Sequence, residues 1–106
     1  MSTILCNEKN GLLERTVRVE IDGDCLKISG HDIESVQREN ARAYKYQYSY
    51  TLDKYSTQRL YSVLSKGSGE FSLLNLVAEN FGGMNGCRKL REICMENDIP
   101  FSFSSS

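Results

Sequence analysis

The chain of 106 residues contains no tryptophan, one proline, Pro100, and one histidine, His31. So little proline argues against a disordered or proline-linked construction. A single imidazole means that any histidine base, or any cysteine–histidine couple, must use His31. No run approaches the roughly 18 apolar residues of a membrane span, so no membrane partner is expected. The start, Met1-Ser-Thr-Ile-Leu-Cys6, lacks the basic and long apolar stretches of a secretion signal, and a cytoplasmic location is expected. An excess of either charge is missing too. Asp and Glu number 14 against 13 Lys and Arg, a net charge of −1, which removes any overall attraction to nucleic acid or anionic lipid and argues against a strong mimic of DNA.

The patterns that announce chemistry are equally scarce. Cys6, Cys25, Cys87 and Cys94 form no closely spaced knuckle, and Cys87 and Cys94, seven apart on a helix, would stand about 10 Å apart along its axis. In a reducing compartment they read as buried thiols, with no metal and no cofactor. Gly67-Ser68-Gly69 lacks the spacing of a nucleophile elbow. The acidic residues are scattered, with no pair placed as acid and base. Gly30-His31-Asp32 reads as turn chemistry in preference to catalysis. No catalytic residue is therefore assigned, and the chain is not expected to be an enzyme.

What the sequence does have is a row of four tyrosines, Tyr44, Tyr46, Tyr48 and Tyr50, at every second position. In a strand this puts all four rings on one face and Lys45, Gln47, Ser49 and Thr51 on the other. Before it, Asp22-Gly23 offers the positive φ angles of a two-residue type I′ turn. Counting back from that turn pairs Val19 with Leu26, Val17 with Ile28, and Arg18 with Lys27. Residues 31–40 read as a loop with one turn of helix at Ile33 and Val36.

After the tyrosines, Asp53 or Ser56 can cap a helix carrying Leu60, Tyr61 and Leu64, which Lys66-Gly-Ser-Gly69 ends. A second helix runs from about Phe71 through Leu73, Leu74, Val77 and Phe81 to Gly82-Gly83. A third begins near Asn85 and carries Cys87, Leu90, Ile93 and Cys94. Pro100 forbids its continuation, and Ile99, Phe101 and Phe103 alternate as in a terminal strand. The expected order is β-β-β-α-α-α-β. It describes one α+β domain over 1–106, a mostly antiparallel sheet with helices on one face and frayed ends at about 1–12 and 104–106.

Three stretches together, Asp22-Gly-Asp-Cys-Leu-Lys-Ile-Ser-Gly-His-Asp-Ile33, Tyr44-Lys-Tyr-Gln-Tyr-Ser-Tyr-Thr-Leu52 and Asn97-Asp-Ile-Pro-Phe-Ser-Phe-Ser104, resemble a loose group of small, uncharacterised bacterial proteins. In those, a hairpin ending near Gly-x-Asp is similarly followed by a tyrosine-rich strand, a helical section and a short aromatic final strand. The resemblance implies this fold order and no activity.

Two stretches remain as candidate sites. Tyrosine is enriched in protein interfaces, and four phenols each needing a hydroxyl partner or a route to water fit a fully dry core poorly. Tyr44, Tyr46, Tyr48 and Tyr50 with Lys45 therefore form the candidate partner surface, plain packing under the helices being the other reading. Gly82-Gly-Met-Asn-Gly-Cys-Arg-Lys89 sets glycine-rich backbone at a helix N-terminus, so Gly83, Asn85, Gly86, Arg88 and Lys89 are a candidate anion site, although the order is not that of a P-loop.

The functional expectation is a non-enzymatic protein-binding module. An inhibitor, immunity or adaptor protein of the kind carried by bacterial mobile elements, such as an anti-CRISPR protein, fits its size and lack of motifs. The alternative is a small nucleic-acid or anion binder using Gly82 to Lys89, or Arg42 and Lys45 beside the rings. Nucleic acid is disfavoured because Lys45 points away from the rings. A homodimer would use the same tyrosine face or a free sheet edge.

Overall fold

The computed structural model describes residues 1–35, 43–66 and 72–106. Five strands, β1 (Ser2–Asn10), β2 (Leu13–Asp22), β3 (Cys25–Glu34), β4 (Tyr44–Leu52) and β5 (Ser102–Ser105), lie in one sheet in sequence order, every neighbouring pair antiparallel. Three helices, α1 (Lys54–Ser65), α2 (Leu73–Phe81) and α3 (Gly86–Glu96), separate β4 from β5. The chain is thus α+β, with strands, then helices, then a returning strand. It has one strand more at the front than the sequence led us to expect, because residues 1–12 do not fray. They form β1 and the turn at Gly11, and the backbone N–H of Ile21 closes the sheet on Met1 O at 2.9 Å.

The β2–β3 turn sits one residue later than its sequence predicts. Gly23 and Asp24 hold the two positive φ angles, 58° and 63°, as a type I′ turn requires. This moves every pairing by two residues: Ile21 opposes Leu26, Val19 opposes Ile28 and Val17 opposes Gly30. A shift of two keeps each side chain on its expected face and changes only its neighbours. Arg18 and Lys27 are therefore not opposed. Lys27 meets Glu20 and Arg18 meets Ser29, which replaces a repulsive cross-strand pair by an attractive one. His31 is also not in a loop, since β3 continues through it to Glu34. The proposed turn at Val36, together with Arg42, Gly67 to Gly69 and Phe71, falls outside the described residues.

Val17, Val19, Leu26, Ile28, Tyr50 and Leu52 from the strands form one core cluster with Leu60 of α1, Val77 and Phe81 of α2, and Leu90 and Cys94 of α3. On the alternate positions Thr16, Arg18, Glu20, Lys27, Gln47 and Thr51 are exposed. The helices start where their caps allow. Asp53 accepts from the backbone N–H of Ser56 at 2.8 Å and Ser72 from that of Asn75 at 3.1 Å. The buried Thr57 hydroxyl donates to Leu52 O and accepts from the Leu26 N–H, tying α1 to two strands.

The terminal strand is shorter than expected. Ile99 is buried and its N–H donates to Cys94 O at 2.8 Å, so the residues before Ser102 finish the helix end before the sheet resumes. Residues 104–106 do not fray either. Ser104 and Ser105 pair with Ser49 and Tyr48, and Ser106 exchanges backbone hydrogen bonds with Gln47.

Candidate functional site

The tyrosine row is neither all core nor all surface. Tyr50 is 5% exposed, its ring tilted against Phe103 at 4.9 Å and Phe101 at 5.8 Å between centroids. Tyr48 is half-buried, and Tyr46 and Tyr44 are 49% and 54% exposed. One strand thus carries its rings out of the core into solvent, with Phe103, 54% exposed, beside them on β5. Lys45 is exposed and alternates onto the opposite face, away from the rings.

Tyr48 marks the change, and a glycine makes its position possible. Gly30 stands directly across from it on β3, and a Cβ there would lie inside the Tyr48 ring. Without one, the ring reaches across β3 and its hydroxyl donates to Asp32 Oδ1 at 3.0 Å. Asp32 is 8% exposed on a face that is otherwise apolar at Leu26 and Ile28. Its charge is met by Arg15, its partner across β2–β3, through a two-point pair of Nε to Oδ1 at 2.9 Å and Nη2 to Oδ2 at 2.8 Å. The remaining guanidinium nitrogen Nη1 donates to Met84 O at 2.6 Å. The network therefore joins three strands to the α2–α3 linker.

The hydrogen bond from Arg15 to Asp32 holds the guanidinium more firmly protonated. Burial first, and then donation to Asp32, raises the Tyr48 phenol well above its ordinary value. Burial also pushes the Cys87 and Cys94 thiols up to about 11 and raises Cys6. These three are held as thiols at neutral pH, the opposite of what a thiolate nucleophile needs. His31 does not approach Cys6 or Cys87, being on the other face of the sheet, and Cys25 lies six residues along the same strand, about 20 Å away. Among the described residues no three His, Cys, Asp or Glu side chains come together as metal ligands would.

Over this network lies an open groove of about 620 Å³. Tyr46, Tyr48, Tyr50 and Phe103 form one wall, Met84, Asn85, Cys87, Arg88 and Arg91 the other, and Arg15 and Asp32 the floor. The two candidate stretches of the sequence therefore meet, but not as either was drawn. Asn85 and Arg88 reach the groove, whereas Gly83, Gly86 and Lys89 do not line it. The N–H of Gly83, at φ +86°, donates to Leu5 O at 2.9 Å, and that of Gly86 to Gly83 O at 3.4 Å. Asn85 makes no side-chain cap. The glycines are used in turning α2 into α3, which leaves Arg88 and Arg91 as the positive charges of the wall.

Neither a protein-family model, nor a curated protein, nor a solved structure matches this chain. The residues themselves carry the argument. Arg15, Asp32, Met84 and Arg91 were missed by sequence reasoning. Their signal was a cation and an anion, Arg15 and Asp32, in phase with the apolar positions of adjacent strands. It becomes legible only with the register that sets one opposite the other.

Proposed function

We propose that this chain is a non-enzymatic protein-binding module, an inhibitor, immunity or adaptor protein of the kind carried by bacterial mobile elements, anti-CRISPR inhibitors among them, acting in the cytoplasm. In this reading the helices cover the tyrosine-bearing face of the sheet, and the hydroxyl-rich reverse faces water. One observation carries the proposal. The tyrosine row leaves the core as it reaches a groove with two arginines on its far wall, so rigid rings with polar tips stand exposed beside positive charge. Tyr and Arg are the residue types that dominate binding energy in protein interfaces.

Nucleic acid is the weaker reading because Lys45 is on the wrong face and the Gly83 N–H is already bonded. A photo-crosslinking residue at Tyr46, introduced in the cells that make the protein, tests the choice. A defined protein adduct, absent when the same residue is placed at Thr16 on the reverse face and lost in Arg88→Glu/Arg91→Glu, is the expected result. A nucleic-acid adduct, or equal labelling from both faces, refutes the proposal.

A further inference from the structure

A second concentration of positive charge stands on the reverse face of the sheet, around Ser29. The register sets Arg18 of β2 directly across from Ser29 on one side and Ser49 of β4 directly across on the other. Lys27 and His31 lie two residues before and after Ser29 on β3, so alternation places both on the same face. Adjacent strands are about 4.8 Å apart, and every second residue of a strand is about 7 Å along. Three basic side chains therefore ring one hydroxyl, within reach of a single small ligand. With Thr16 they line an open hollow of about 410 Å³. Its centre is built by β2, β3 and β4 alone, and Ser29 stands six residues, about 20 Å, from Ser35, the last described residue ahead of Ala43.

No aspartate or glutamate lines the hollow. Glu20 opposes Lys27 in the next row of the sheet, yet Arg18, Lys27 and His31 make no ion pair among the described residues. Like charges gathered on one patch of a sheet cost free energy that a bound anion offsets. The donors suit one anion in particular. Arginine presents a planar fork, lysine a point charge, the imidazole an N–H and each serine a hydroxyl. A phosphate group brings three acceptor oxygens and a charge of about −1.5 to −2 to receive them. A nucleic-acid strand fits less well, since the β4 rings on which its bases would stack are on the opposite face.

We propose that Arg18, Lys27 and His31, with the hydroxyls of Ser29 and Ser49, bind the phosphate group of a small molecule on the reverse face of the sheet. This goes beyond the protein-binding reading and does not depend on it, because a small phosphate leaves no protein adduct at Thr16. The test is a titration of the isotopically labelled 106-residue chain with inorganic phosphate and with glycerol phosphate at constant ionic strength, sodium chloride serving as control. Either phosphate is expected to shift the backbone amides of Lys27, Ser29, His31 and Ser49 to saturation and to raise the melting temperature, and chloride to do neither. Tighter binding of glycerol phosphate assigns the site to a phosphate ester, and equal or tighter binding of inorganic phosphate to the free ion. Arg18→Gln/Lys27→Gln should weaken binding about tenfold or more. Both side chains are exposed, so the melting temperature without phosphate should stay put. Lys9→Gln/Lys45→Gln removes the same charge from the same face outside the hollow and should change affinity less than about twofold.

Amide shifts that never saturate, or that chloride reproduces, mean a solvated basic face only and overturn the proposal. Unchanged affinity in Arg18→Gln/Lys27→Gln also overturns it, as does an equal loss in Lys9→Gln/Lys45→Gln, which would make net charge the cause. A ten-residue oligothymidylate that binds more tightly than either phosphate overturns it in favour of nucleic acid, and phosphate shifts centred on Arg88 and Arg91 overturn it in favour of the groove. The crosslinking from Tyr46 judges the protein-binding reading separately.

Discussion

Gly30→Ala is the sharpest perturbation of the site, because a single methyl group is set against a single ring. The new Cβ would occupy the space of the Tyr48 ring, which is held between β3 and the groove. The ring must swing out, and its hydroxyl then leaves Asp32, now 3.0 Å away. Losing a hydrogen bond to a charged acceptor costs about 1.5–3 kcal/mol, and overpacking a close-packed position costs about 1–3 kcal/mol. Because the ring is half-buried and escapes toward solvent, we take about 3 kcal/mol for the sum. At about 4 °C per kcal/mol for a domain of this size, the melting temperature should fall by about 12 °C.

Urea and thermal unfolding of four proteins, wild type, Gly30→Ala, Tyr48→Ala and the double variant, measure the coupling directly. With the ring gone, alanine at position 30 should cost nothing or stabilise slightly, as alanine does over glycine within a strand. If Gly30→Ala costs the same with and without Tyr48, the steric account is wrong.

Asp32→Asn should destabilise by about 2–3 kcal/mol, less than a fully buried broken pair because Arg15 keeps some contact with water; a chemical unfolding series checks it, and an unchanged midpoint would refute the role of the pair. Tyr44→Ser and Tyr46→Ser should change stability by less than about 0.5 kcal/mol, whereas Tyr50→Ala should cost about 3–4 kcal/mol. Equal effects along the row would contradict its graded burial. On raising the pH, the folded state disfavours ionising the Cys87 and Cys94 thiols and the Tyr48 phenol. Each folded value is raised, so their stabilisation is complete below about pH 9 for the thiols and about pH 10 for the phenol, and is lost as the pH rises further. Cys94→Ala should flatten the first part of that decline in unfolding measured from pH 8 to 11, and an unaltered slope would refute the assignment.

Much of the fold was legible where the signal is local. The alternation of Tyr44 to Tyr50, the cap at Asp53, the stop at Gly82-Gly83 and the Pro100 boundary each depend on a few adjacent residues, and each marks an element boundary or face in the structure. Residues 1–12 were not legible as a strand because Asn7 to Asn10 offer no apolar alternation. Their side chains are exposed, and pairing with β2 supplies the order that pattern does not. The site was harder, because it depends on register. Moving the turn from Asp22-Gly23 to Gly23-Asp24 shifts the cross-strand partners by two. With the earlier register Arg15 would face Gly30, and the Arg15–Asp32 pair would not exist. His31 and Asp32 looked like a turn because polar residues after a glycine usually are one. Here Arg15 compensates the charge and lets the strand run on.

The α2–α3 linker is bonded on both sides of its bend, Gly83 to Leu5 of β1 and Met84 to Arg15 of β2. The two walls of the groove therefore cannot spread or close independently of the sheet, and its width is set before anything enters. In the proposed protein-binding role, the ordering cost on this side of the groove then falls on its exposed side chains, Tyr46 and Arg88 among them, and little of it on the backbone. In that role, variants that stiffen the backbone of this protein further should leave affinity for a partner segment in the groove nearly unchanged, while the same stiffening applied to the partner segment should raise it.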